Sequence, residues 1–343
     1  MKQLLNTVYV SDSDIYLALK GKNLNLIKEQ KSIARIPLHN IQAICTFGHQ
    51  GASPALMAEC MNRNISLSFF TSTGKFRGRL IGEQNGNVTL RKKQYRISDS
   101  EELSSLISRN MIVGKIFNCE QLLKRTLRDH GLRVASERIE RVVNMLKKSR
   151  KNAMECTNLD ELRGIEGNAA SLYYSVFNEC ILQNKQEFSF IERNRRPPLN
   201  RVNALLSLAY TLLTTEVAAA LEGVGLDSYV GFLHRDRPGR TSLALDLMEE
   251  LRPLIADRFV LKVINRKQIH AKDFVVKENK AVILTDDARR NFLQLWQQNK
   301  GSTITHPYLK EKISWGLIPH VQALLLARFL RGDLDAYPPI LIR

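Results

Sequence analysis

Paired cysteines are missing from this sequence. Its five cysteines, Cys45, Cys60, Cys119, Cys156 and Cys180, are odd in number and scattered, with no C-x-x-C pair. That spacing gives neither a zinc knuckle nor a disulfide framework, so buried thiols are expected. A glycine-rich loop that would cradle nucleotide phosphates is also absent, which removes support for nucleotide hydrolysis. No unbroken apolar run reads as a membrane span and no secretory signal occupies residues 1–9, so a cytoplasmic protein is expected. There is no internal repeat or low-complexity tract. Acid is the scarce charge: 34 Asp and Glu face 51 Lys and Arg, a formal net charge of +17 at pH 7. Such a surplus attracts a polyanion before contact, which makes nucleic acid the first partner to consider and a membrane surface the second.

What is present suffices for a folded core. The 343 residues are 44% hydrophobic, enough for one large or two ordinary domains. Residues 4–70 are short apolar runs broken by Asp-Ser, Gly-Lys and Pro, a strand-like pattern interrupted at 53–62 by helical spacing of Leu56, Met57, Cys60 and Met61. Asn85-Gly86 signals a further hairpin. Near residue 100 the pattern becomes helical almost to the end, with helices expected over 104–127, 133–151, 204–221 and 317–331. The fold class read from this is α+β: a small strand-rich N-terminal domain over residues 1–99, then a larger all-α domain over 100–343.

The chemistry concentrates in residues 225–253, GLDSYVGFLHRDRPGRTSLALDLMEELRP. A helix is expected from Thr241-Ser242 to Arg252, because the hydroxyls can cap it and Pro253 cannot easily continue it. Leu243, Leu247, Met248 and Leu251 form its apolar stripe. Asp246, Glu249 and Glu250 share the opposite face, within reach of His234. Hard oxygens with one imidazole suit Mn²⁺ or Mg²⁺. Glu166, in LDELRGIEGNAASLYY, lies beside another apolar stripe and needs a cation or a raised pKa. Arg195 and Arg196, in the proline-rich loop 192–203, join Arg237 and Arg240 as candidate phosphate contacts. Either half of this pattern alone is ordinary surface. Together, in so basic a chain, they point to metal-dependent phosphodiester chemistry.

GFLH followed by GRTSLALDLMEELRP, preceded by GIEGNAASLYY and RRPPLNRVNALLSLAY, resembles the family of the first-numbered CRISPR-associated protein, the endonuclease and integrase of spacer acquisition. The opening KQLLNTVYV, IPLHNIQAICTFG, GASPALMAEC and the closing YPPI extend the resemblance along the chain, most like subtype I-C members. It implies an N-terminal β domain that forms homodimers, a helical catalytic domain, and Glu166, His234 and Glu249 as ligands of Mn²⁺ or Mg²⁺. Asp246 is then an auxiliary acid; helical geometry alone leaves Glu249 and Glu250 open. The implied activity inserts short foreign DNA into a CRISPR array by attack of a 3′-hydroxyl on a phosphodiester. Double-stranded DNA and the second-numbered CRISPR-associated protein are the implied partners. A general nuclease for branched or single-stranded nucleic acid, or a non-catalytic DNA-binding scaffold, are the alternatives.

Overall fold

The computed structural model describes residues 7–72, 76–80, 88–195 and 197–342. The Asn85-Gly86 hairpin, the first residues of KQLLNTVYV and Arg196 lie outside them. The short apolar runs form β1 (Thr7–Val10), β2 (Tyr16–Lys20), β3 (Asn23–Lys28), β4 (Lys31–Pro37) and β5 (Ala43–Thr46), then α1 (Pro54–Asn62), β6 (Ser66–Phe70) and β7 (Phe76–Leu80). β2, β3 and β4 are an antiparallel meander. The other strands form a sheet ordered β1-β5-β6-β7, in which β5 runs parallel to β1 and β6. Parallel neighbours need a crossover, and α1 supplies it between β5 and β6. Ser53 Oγ accepts from Leu56 N at 3.2 Å and Pro54 occupies the first turn, which starts α1 where the sequence pattern placed it.

Strand alternation sends neighbouring side chains of this sheet to two different places. Ile44 and Leu67 join Leu17, Leu24, Leu56 and Cys60 in a small core between the sheets and α1. Cys45, Phe47 and Phe70 instead enter the large core of the helical body. The strand-rich region is therefore built into the helices rather than merely tethered to them. Arg79 pairs with Glu222, and Lys300 donates to Thr7 Oγ1 at 3.2 Å and to Glu216 at 2.9 Å.

The helical body comprises α2 (Val88–Ser98), α3 (Glu101–His130), α4 (Ser136–Glu155), α5 (Leu159–Ser175), α6 (Arg201–Gly223), α7 (Ser242–Leu251) and α8 (Arg258–Asn265). The hairpin β8 (Phe274–Val276) and β9 (Val282–Leu284) follows, then α9 (Asp286–Lys300), β10 (Thr303–Thr305), β11 (Lys312–Ser314) and α10 (Ile318–Arg331). Side-chain caps start four of these helices: Ser100 for α3, Asn158 for α5, Asn200 for α6 and Thr285 for α9.

The α+β class holds, with two corrections of detail. The C-terminal part is not all α, since β8-β9 and β10-β11 are antiparallel hairpins. The helical pattern begins at Val88 rather than near residue 100, and Gln94 of α2 is buried and bonds Asp227 O and Val230 O at 2.8 Å each. Among the described residues one helix, α6, is long and apolar enough to cross a membrane, but Thr214, Thr215 and Glu216 interrupt its apolar run and 61% of that window is buried in the core. All five cysteines are free and buried, as expected.

Candidate active site

Helix α7 is buried except at the half-buried Leu245, so its acids are not a solvated face: Asp246, Glu249 and Glu250 are each at most 3% exposed. Each therefore needs its own partners, and each has a different set. Thr241 stands at the N-cap without a side-chain cap, and the chain passes Pro253 through a π-helical stretch, Arg252–Asp257, into α8. Pro253 thus redirects the helix without ending the helical path.

Asp246 organises the GFLH loop. Its Oδ2 accepts from Phe232 N at 2.6 Å and Leu233 N at 2.9 Å, and its Oδ1 from His234 N at 3.0 Å and His234 Nδ1 at 2.5 Å. Four donors use the carboxylate fully, so Asp246 is a positioning group. The loop can approach this closely only because residue 231 is glycine: a Cβ there would stand 2.7 Å from Asp246 Oδ2 and 2.8 Å from Ser242 Cβ. Arg163 Nε donates to Leu233 O at 2.8 Å and ties the same loop to α5. With Nδ1 turned to the Asp246 carboxylate, Nε2 is the ring nitrogen left for another partner, the arrangement by which a carboxylate orients a metal-binding histidine.

Glu249 lies among cations. Its Oε2 faces Lys115 Nζ at 2.6 Å and its Oε1 faces Arg252 Nη2 at 3.0 Å. Burial alone would raise its pKa, but Arg252, Lys115 and nearby His234 outweigh burial and hold it well below the ordinary carboxylate range. The Lys115 ammonium also pairs with Glu166 Oε1. Three helices, α3, α5 and α7, thus bring Glu166 and Glu249 onto one cationic point.

Glu250, one residue on, meets only neutral donors. Oε1 accepts from Gln322 Nε2 at 2.9 Å and from the Tyr337 hydroxyl, and Oε2 from Ile340 N at 2.8 Å. Burial raises its pKa to about 7 against these bonds. Its partners come from the tail and α10. Asn118 reinforces the tail by donating to Ile340 O at 2.8 Å.

The arginines divide. Arg195 and Arg237 are exposed and Arg240 is half-buried. Burial and then Arg237 push the Arg240 pKa down, with Arg195, Asp246 and Glu249 also in electrostatic range, so these three guanidinium groups gather beside the site. Arg193 of the same proline-rich loop turns inward, donating to Asn203 Oδ1 at 2.7 Å and Ser207 Oγ at 3.1 Å, with its guanidinium over the Tyr210 ring.

Among the described residues, no three His, Cys, Asp or Glu side chains stand together as a ready metal site. The donor set nevertheless fits a divalent ion. Glu166 and Glu249 already converge on a cation, Lys115 Nζ, while Glu249 Oε2 is fully buried without a well-directed hydrogen bond. Oxygen ligands with one imidazole are the chemistry of Mg²⁺ and Mn²⁺ sites.

Sequence reasoning missed Lys115, Arg252 and Arg163. A signal existed for the first. Ile107, Met111, Cys119 and Leu123 recur every four residues as buried positions on α3, and Lys115 fills the remaining place in that row. A lysine inside an apolar row demands a buried acid. Arg252 stands three residues beyond Glu249, a helical pairing distance that signals the ion pair.

The family model described as CRISPR associated protein Cas1 matches residues 8–298. The chain is 44% identical over 343 residues to the CRISPR-associated endonuclease Cas1 1 of Chlorobaculum tepidum, covering 100% of both chains. Among solved structures it is similar to a Cas1 protein from Thermotoga maritima, with a TM-score of 0.83 and 27% identity over 97% of this chain and 99% of that one. It also shares its fold with a chain of a Cas6-RT-Cas1–Cas2 complex, with a TM-score of 0.82 and 22% identity over 98% of this chain and 36% of that one.

Proposed function

This chain belongs to the Cas1 family of CRISPR-associated endonucleases, and from that premise we propose that it joins short foreign DNA fragments to a CRISPR array, with Glu166, His234 and Glu249 holding Mn²⁺ or Mg²⁺. The observation that carries the reading is the convergence of Glu166 and Glu249, from two helices, on one cationic point beside an imidazole oriented by Asp246. When bound, the ion supplies polarisation of the scissile phosphate and stabilisation of the leaving 3′-oxygen.

The protein's own groups do the rest. Asp246 fixes the His234 ring through Nδ1 and the loop through three backbone N–H groups. Arg195, Arg237 and Arg240 offer charged forks to the phosphates that flank the reacting one, and Arg196 belongs to the same proposal from sequence. The 3′-hydroxyl of the incoming fragment is the nucleophile in joining and water in hydrolysis; no covalent protein intermediate is required.

The same proposal includes homodimers formed through the strand-rich region and a Cas2 partner in the cytoplasm. Strand β4 supports the assembly role. It is an edge strand, exposed along most of its length, with Ile33 at 52% exposure. A solved complex in which a chain of this fold occurs with Cas2 motivates the partner.

The test is a joining assay: a labelled duplex fragment with free 3′-hydroxyls, a supercoiled plasmid bearing a CRISPR repeat, purified Cas2 and Mn²⁺. Covalent transfer of label to the repeat, abolished by His234→Ala, is expected. Cleavage without transfer points to a general nuclease, and binding without either reaction points to a scaffold; both outcomes reject the integrase reading.

A further inference from the structure

We propose that Lys115 is the site's own counter-cation, and that a divalent ion reaches Glu166 and Glu249 by displacing its ammonium. The inference rests on the metal-site reading above and concerns what that site does before metal arrives. Lys115 is 7% exposed and projects from the apolar row of α3, and its Nζ pairs with Glu166 and, at 2.6 Å, with Glu249. Arg252 holds the other oxygen of Glu249 at 3.0 Å. The two carboxylates and two cations therefore sum to zero, a balance that favours a cluster buried apart from the partly exposed Glu166.

Adding a divalent ion while Lys115 stayed in place would leave two surplus positive charges in a low-dielectric pocket, where repulsion is least screened. The two cations cannot both keep the same point. Lysine suits exchange because its ammonium is a point charge on a flexible four-carbon stem, whereas Arg252 binds through a rigid planar fork. Glu249 Oε2, which has no well-directed hydrogen bond, is the oxygen released to the metal. The role of Lys115 is thus to lower metal affinity and to neutralise the carboxylate pair until the ion binds.

The experiment measures Mn²⁺ binding without DNA, from the paramagnetic resonance of the free ion, on the full chain as wild type, Lys115→Met, Lys115→Gln, Glu166→Gln and Glu249→Gln. Thermal melting is recorded with and without Mn²⁺. Both Lys115 variants should bind Mn²⁺ about tenfold tighter or more, the scale on which one adjacent charge moves a buried ionic equilibrium. They should also melt lower than wild type without metal and gain more from it. Lys115→Gln, close to the original length, keeps the test open if Lys115→Met folds only with Mn²⁺, itself an expected result. Unchanged or weaker affinity in the Lys115 variants, with wild-type binding still lost in Glu249→Gln, overturns the counter-cation and leaves the metal site standing. Mn²⁺ binding indifferent to both glutamate substitutions overturns the metal site and the inference with it.

Discussion

Glu249 and Glu250 are the same residue type, adjacent on one helix and equally removed from water, yet their surroundings drive them in opposite directions. Glu249 faces full charges on Lys115 and Arg252 and is held ionised. Glu250 faces hydroxyl, amide and backbone donors, and burial carries its pKa up to about 7. Neutral donors satisfy a carboxylate's geometry without compensating its lost hydration, whereas charges do both. Burial alone therefore does not set a carboxylate's protonation; the charge of its neighbours decides the direction.

The largest test of that contrast is turnover. Glu249→Gln, His234→Ala and Glu166→Ala should each lower Mn²⁺-dependent cleavage and joining by about 10³-fold or more, the worth of a lost metal ligand in a phosphoryl reaction. Glu250→Gln should keep most of it. Glu249→Gln should also melt earlier, because it weakens a buried ionic cluster whose disruption costs about 3–5 kcal/mol; activity is therefore compared per folded molecule, well below melting. Full turnover in Glu249→Gln with loss in Glu250→Gln would invert the assignment.

Asp246 gives an intermediate effect. Two of its four bonds hold His234 and two hold the loop before it, so Asp246→Asn should cost about 10–100-fold in turnover or metal affinity. The accompanying change in the imidazole carbon and proton resonances of His234 separates this from simple destabilisation.

Stability against pH sharpens the comparison further. The folded pKa of Glu250, about 7, lies above its ordinary 4.5, so its contribution is complete below pH 4.5 and is lost as pH rises through about 7. The advantage of wild type over Glu250→Gln in denaturant titrations should shrink across that window, by at most about 3 kcal/mol. Glu249 has the opposite sign: its contribution is present above pH 4.5 and disappears as the pH falls towards its depressed value. Parallel pH profiles for the two substitutions would remove the contrast.

The smallest effect belongs to the cationic rim. Replacing Arg195, Arg237 or Arg240 with alanine should each reduce the salt slope of duplex DNA binding by about 1 in log K against log salt, and leave the Mn²⁺ dissociation constant unchanged.

Much of this was legible in the sequence, and the exceptions share a cause. Local periodicity placed α1, α3, α6 and α10 within a few residues, because their caps and apolar rows are local signals. Motif resemblance pointed to Glu166, His234 and Glu249, of which the structure brings Glu166 and Glu249 together on Lys115. The partners of each acid were not legible, since they arrive from far along the chain: Lys115 to Glu249, and Tyr337 and Ile340 to Glu250. A helical wheel leaves Glu249 and Glu250 open because it registers angles and not the element that will cover them. The position of the change to helix was misread for a similar reason. Gln94 looks like surface on a basic helix until Asp227 and Val230 are set against it.

Strand β5 carries a consequence for cooperativity. Ile44 belongs to one core and its neighbour Cys45 to the other, so a slip of one residue would exchange them and damage both cores at once. An error in pairing is penalised twice, which gives this strand a more firmly fixed register than a sheet with one free face. The same coupling means that melting either core loosens the other, so thermal unfolding should proceed as a single transition across the strand-rich and helical parts.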